Sequence, residues 1–246
     1  MPDTSQPLER ELLLLAGEVA EAGRKIGLPY NAVTADISSP QPMCDADGRP
    51  LAETVFHWID PRLQYWKDRT FALRSSLVHA TRTCAEPFYY SGGKIASWRR
   101  NDALVAATDP EQYKNANIHA AIISPVYLPG GVIGAVVWAS DQDVELEEIF
   151  QQRAGELHAL ALKFVATYQE ARSLGPQGPA VYLTRREIQC LKWAAAGKTD
   201  SEIATIIDIS LPTVRFHITN GAKKLGVAGK ARAIQRATTL GYIGNE

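Results

Sequence analysis

The segment Thr199-Asp-Ser-Glu202-Ile-Ala-Thr-Ile-Ile-Asp208-Ile-Ser210-Leu-Pro212-Thr-Val-Arg215-Phe-His217-Ile-Thr-Asn220-Gly-Ala-Lys223-Lys224-Leu225 reads as two helices joined by a turn. Thr199-x-x-Glu202 has capping-box spacing: the threonine accepts from the third helical amide and the glutamate reaches back to the cap. It opens a helix at about 200–207. Asp208-Ile209-Ser210 then breaks the apolar period for three residues. Ser210 can cap a second helix at about 211–225, with Pro212 tolerated in its first turn. A helix entered at Thr184 and closed by Gly197 precedes this pair, at about 185–196. Another follows at about 230–240, before Gly241. Helix, short turn and basic helix is the helix-turn-helix arrangement. Along 211–225, Val214, Ile218 and Leu225 can bury. Thr213, Arg215, His217, Asn220, Lys223 and Lys224 are left for another surface. Arginine suits guanine edges or phosphates, and asparagine suits adenine edges. Lys223 and Lys224 sit late in the helix, where they suit phosphates and equally complement the helix dipole.

Upstream of this unit the chain breaks at Gly175-Pro-Gln-Gly-Pro179, which cannot continue a helix or a central strand. Three regions are expected: a first domain over 1–171, a linker over 172–181 and a helix-turn-helix domain over 182–246. Charge changes sign across the break. Residues 181–246 carry ten basic and five acidic side chains; the rest carry 16 and 22. The net charge of −1 over 246 residues therefore hides a basic unit joined to an acidic one, a pattern that points to nucleic acid. With 46% hydrophobic and 22% charged residues the chain has ample material for a core, which excludes a collagen-like or largely disordered protein. Cys44, Cys84 and Cys190 are far apart and odd in number, which argues against a disulfide framework or a zinc site and fits a reducing cytoplasm. The start lacks the basic region of a signal peptide. The longest apolar stretches, Leu12–Ala16 and Val132–Ala139, fall far short of the roughly 20 residues that span a bilayer. These features predict a cytoplasmic protein with no membrane partner.

The first domain reads as α+β. Leu12, Leu15, Val19 and Ala22 have helical spacing within 8–25. Residues 61–83 and 110–117 also read as largely helical. Ile118–Val126 and Val132–Ala139 are apolar and β-branched, and they flank Tyr127-Leu-Pro-Gly-Gly131, so they predict a hairpin. One long helix is expected at 145–173, with Ile149, Ala154, Leu157, Leu160, Ala161, Phe164 and Tyr168 on one broad side. That side is wider than one domain needs, so the helix is expected to contribute to a homodimer, with Leu160 and Phe164 as contacts. Helices around an antiparallel sheet give an α/β/α sandwich, followed by an all-α four-helix helix-turn-helix domain.

At fixed offsets, Leu183-Thr-Arg-Arg-Glu187-x-x-x-Leu191, Gly197-Lys198, Glu202-Ile-Ala204, Thr213-Val-Arg215-x-His217 and Lys224-Leu-Gly-Val227 resemble the DNA-binding domain of the LuxR family. The family's hallmark Glu, Leu and Gly match Glu187, Leu191 and Gly197. Asp208 departs from the glycine usual in the family's turn, although aspartate also tolerates a left-handed backbone. Over residues 8–172 the layout is similar to the quorum-sensing branch, whose first domain binds acyl-homoserine lactones. The hairpin followed by a long helix also resembles GAF sensor domains, and the first domain is expected to be GAF/PAS-like.

That resemblance implies a ligand pocket drawn from Tyr65, Phe71, Arg74, Phe88, Tyr90, Trp98 and Ile123. The same aromatic residues can serve as ordinary core, and Arg74 can serve as a surface arginine. Where lactone-binding members have an aspartate that accepts from the ligand amide, this chain has Arg74. Arginine only donates, so it favours a carboxylate, phenolate or carbonyl. The expected effector is thus a small, partly apolar molecule other than an ordinary acyl-homoserine lactone. Alternatives are a genuine lactone receptor, a ligand-free regulator controlled by a protein partner, and a sensor that turns over its ligand. Gly-x-Ser-x-Gly, His-Glu-x-x-His and a phosphate-binding glycine loop are all missing, so no enzyme activity is expected, nor a cofactor or metal. The expected partners are double-stranded promoter DNA, a small-molecule effector and a second copy of the chain, with RNA polymerase as a further candidate.

Overall fold

A computed structural model describes residues 5–62, 75–172 and 181–244. The chain divides into two compact units between Leu174 and Gly175. The expected linker spans that division, and residues 173–180 lie outside the described residues.

In the first unit the described elements are α1 (Ser5–Lys25), β1 (Tyr30–Thr34), α2 (Leu51–Thr54), α3 (Ser76–Thr83), β2 (Phe88–Ser91), β3 (Lys94–Ser97), α4 (Asp102–Ala106), α5 (Pro110–Asn115), β4 (Ala120–Leu128), β5 (Val132–Ser140) and α6 (Glu147–Arg172). The strands form one antiparallel sheet in the order β1-β5-β4-β2-β3. The hairpin and long helix read from the sequence are β4–β5 and α6.

Strand alternation sorts the apolar side chains into two cores. Ala120, Ile122 and Val126 of β4, with Val136 and Trp138 of β5, face α1 and α6. There they meet Leu12, Leu15 and Val19, and Phe150, Leu157, Ala161 and Phe164. Ala121, Ile123, Val137 and Ala139 point the other way, toward Ala80 of α3, Leu104 of α4 and Tyr113 of α5. Because successive strand residues face opposite sides, a continuous apolar run such as Ala120–Ile123 requires cover on both. The result is an α+β unit with an α/β/α sandwich.

Two local features fix the close packing. The Trp138 indole donates to the Val19 carbonyl at 2.8 Å, drawing α1 onto the sheet. A Cβ at Gly23 would lie 2.5 Å from that indole and 2.4 Å from the Leu28 carbonyl, so only glycine fits. Pro125 lies in β4 beyond Ala120–Ile123, the part that β2 pairs, on a stretch with β5 as its neighbour. A proline is tolerated where a second ladder is not required.

Among the described residues the second unit has four helices: α7 (Arg185–Ala195), α8 (Asp200–Ile206), α9 (Leu211–Lys224) and α10 (Lys230–Thr239). They close their own core around Cys190, Leu191, Ile203, Val214, Ile218, Leu225, Ala233 and Ala237. Capping boxes open α7 at Thr184/Glu187 and α8 at Thr199/Glu202. In the turn Asp208 has φ 52°, the left-handed conformation in which the sequence places an aspartate instead of glycine.

Candidate nucleic-acid interface and sensor face

The outward face of α9 follows from which residues its core side uses. Val214, Ile218 and Ala222 are buried, and Leu225 caps the helix end. At 3.6 residues per turn this leaves Pro212, Arg215, Phe216, Thr219 and Lys223 facing away from the core, and all five are exposed. Of the six residues expected to form the interface, Arg215 and Lys223 therefore lie at its centre. Thr213, His217 and Asn220 are half-buried on its flanks. The Thr213 hydroxyl lies 2.7 Å from that of Ser210 at the helix cap.

Lys224 is engaged within the unit. Its ammonium donates to Glu187 Oε2 at 2.9 Å, and Glu187 is buried. Burial pushes the Glu187 carboxyl up, but the Thr184 amide, the Lys224 ammonium and the Thr184 hydroxyl outweigh it and hold it below its ordinary value. Glu187 thus ties α7 to the end of α9. Asp200 plays a similar part. Its pairing with Lys230 at 2.9 Å is the main cause holding its carboxyl low, with Arg215 at 3.5 Å adding to it. Arg215 is 67% exposed despite that contact, so its guanidinium remains available to an outside acceptor.

Phe216 and Thr219 were not among the expected interface residues. Phe216 is 61% exposed and its ring meets only the edge of His217 among its described ring neighbours, at a centroid distance of 5.7 Å. The signal was present in the sequence. Phe216 is two residues from both Val214 and Ile218, about 200° around the helix from each, and cannot share their face.

On the sheet of the first unit, Phe88, Tyr90 and Ile123 are brought together in the core facing α3, α4 and α5. Phe88 and Ile123 are register partners on β2 and β4. Tyr90 stacks on Tyr113 at a centroid distance of 4.4 Å. Trp98 does not join them. It is 46% exposed, and its ring lies 6.4 Å from Phe150, which belongs to the opposite core. Tyr65, Phe71 and Arg74 lie outside the described residues. Tyr113, absent from the expected set, has a buried hydroxyl with no hydrogen-bond partner among the described residues. Burial pushes its phenol well up, so it stays a neutral donor. Leaving such a group unpaired costs about 1–3 kcal/mol. Among the described residues no group of three or more His, Cys, Asp or Glu side chains is placed to hold a metal ion. No described helix is long and apolar enough to cross a membrane.

A four-helix unit with an exposed basic third helix, following an α+β domain in the chain, defines a protein with a helix-turn-helix domain. Residues 181–237 match the bacterial regulatory proteins of the luxR family, so the second unit is a LuxR-type helix-turn-helix domain. The chain is similar to the transcriptional activator protein VanR of Vibrio anguillarum, 54% identical over 65 residues, covering 26% of this chain and 27% of that protein. It is also similar to the transcriptional activator protein LuxR of Aliivibrio fischeri, 29% identical over 120 residues and 48% of each chain. The chain thus spans between about a quarter and a half of the length of these curated relatives. It shares the fold of Escherichia coli SdiA, with 20% identity, a TM-score of 0.50, and 96% of this chain and 98% of that chain covered.

Proposed function

We propose that this protein is a ligand-responsive transcriptional regulator of the LuxR type, acting in the cytoplasm as a homodimer on a roughly palindromic DNA site. The observation that carries the reading is the outward face of α9, where Arg215, Thr219 and Lys223 form a polar and basic strip on a domain of that family. Such a helix fits the major groove, and two copies would read two half-sites about one helical turn apart. The named relatives are transcriptional activators, which supports the same role here. RNA polymerase is a further partner on this reading.

The effector is a small, partly apolar molecule bound on the sheet face that holds Phe88, Tyr90 and Ile123. Tyr113 supports a ligand with a hydrogen-bond acceptor, because its buried hydroxyl is a donor without a partner among the described residues. Arg74, where lactone-binding members of the family have an aspartate, favours a carboxylate, phenolate or carbonyl over the amide of an acyl-homoserine lactone. Thermal-shift titration of the full chain against lactones of several chain lengths, and against aromatic and carboxylated metabolites, tests this. Stabilisation by a carboxylated or phenolic compound that is lost in Arg74→Ala supports the reading. Tight lactone binding that survives Arg74→Ala overturns it. Gel-shift titration across salt tests the DNA half: binding that weakens steeply as salt rises is expected.

A further inference from the structure

Phe216 combines three properties that together call for a partner. It sits at the centre of the outward face of α9, between Arg215 and Thr219 and two turns before Lys223. It is 61% exposed, although the core of its unit is already closed by Val214, Ile218, Ala222 and Leu225. It has no hydrogen-bonding group, so it adds nothing to a polar surface except apolar area.

We propose that Phe216 is a sequence-reading side chain that contacts the C5-methyl group of a thymine in the major groove. The inference rests on the DNA-binding reading above and specifies what one side chain of that surface recognises. Base edges in the major groove offer donors, acceptors and a single apolar group, the thymine methyl. Arg215 and Lys223 on either side of the ring fit a polyanion and hold the helix against it, so the phenyl faces base edges instead of solvent. Contact between the ring and the methyl removes both from water. By the usual worth of one buried methyl-sized group, it strengthens binding about fourfold per thymine. A cytosine at that position lacks the methyl and presents an amino donor that the ring cannot accept.

Duplexes enriched from a random-sequence library by the full-length protein provide the probe. Each thymine of the enriched duplex is replaced in turn by deoxyuridine, which removes only the methyl, and affinity is measured by fluorescence anisotropy. The wild-type chain should lose about fourfold at one thymine in each half-site. Phe216→Ala should bind the thymine duplex more weakly and be indifferent to that deoxyuridine. Lys223→Ala should weaken binding to all duplexes while keeping the deoxyuridine penalty. An unchanged circular-dichroism melt for Phe216→Ala separates these results from a folding defect, which its exposed position does not lead one to expect. Wild-type binding that tolerates deoxyuridine at every thymine, or a penalty that persists in Phe216→Ala, overturns the inference and leaves DNA binding intact. Failure to enrich any duplex, with no salt-sensitive DNA binding, overturns the DNA-binding reading and this inference with it.

Discussion

Lys223 and Lys224 are chain neighbours with different uses. The Lys223 side chain faces outward, whereas Lys224 reaches back to the buried carboxylate of Glu187. Lys223→Ala should therefore leave stability unchanged and reduce the salt slope of DNA binding by about one unit. Lys224→Ala should leave Glu187 underpaired and destabilise the second unit by about 1–3 kcal/mol, read from its denaturant midpoint. Equal effects of the two substitutions on stability would mean that the Glu187 pairing contributes little. Tyr113→Phe is a second test at this scale. Removing a buried hydroxyl that has no partner should raise the melting temperature of the effector-free protein and weaken binding of any effector that accepts from it. A lower melting temperature would show that the hydroxyl is satisfied. His158 supplies the pH dependence. Burial holds its imidazole below the ordinary value, and its Nδ1 lies 3.4 Å from the buried Ser124 hydroxyl. The unfolded chain takes up the proton first, so stability is full above about pH 6.5 and is lost as pH falls below it. The denaturant midpoint of the first unit should fall as pH drops below about 6.5, and His158→Gln should flatten that fall. The depressed carboxylates of Glu187 and Asp200 act lower, below about pH 4.5, and do not confuse the window.

At the scale of elements, α6 changes the reading of the dimer. The sequence placed Leu160 and Phe164 on a broad apolar side available to a second copy. In the structure Phe164 is fully buried in the chain's own core, edge-on to Phe56 at 5.8 Å, and Leu160 packs against the same core. A charge at Phe164 would therefore unfold the unit and say nothing about association. Phe164→Ala should cost about 3–5 kcal/mol of stability in urea unfolding. The outward apolar side chains are Leu162 of α6 and Leu13 and Leu14 of α1, helices that pack through their buried apolar sides and carry an exposed Lys163–Glu11 pair at 3.4 Å. On the proposed homodimer, Leu162→Glu should keep the fold and shift the sedimentation coefficient to that of a monomer. A dimer that survives Leu162→Glu places the interface on another element. The width of the apolar side of α6 was legible in its sequence. Its occupant was not, because a period of 3.6 reports which residues avoid water and not what covers them.

For the whole molecule, the second unit carries a complete core of its own, built from α7, α8, α9 and α10. Residues 181–246 should therefore unfold cooperatively as an isolated fragment and retain salt-dependent DNA binding. A fragment without a cooperative melt would show that its stability depends on the rest of the chain. The sequence alone determined this unit almost to the residue, because its signals are local. Thr184, Thr199 and Ser210 cap amides three positions ahead, Gly197 and Asp208 take left-handed backbone, and apolar residues recur at helical spacing. It also gave the β4–β5 hairpin and α6, whose apolar runs are long. It did not give β1, β2 and β3 or their order in the sheet. Two of these strands have four residues each, too few for a period to show, and their pairing is set by partners distant in the chain. Only the tertiary structure decided that Lys224 belongs to Glu187, that Phe164 is internal, and that Trp98 lies apart from Phe88 and Tyr90. Each of these depends on what approaches a side chain from elsewhere in the fold, and burial and pairing by distant residues leave no mark on local spacing.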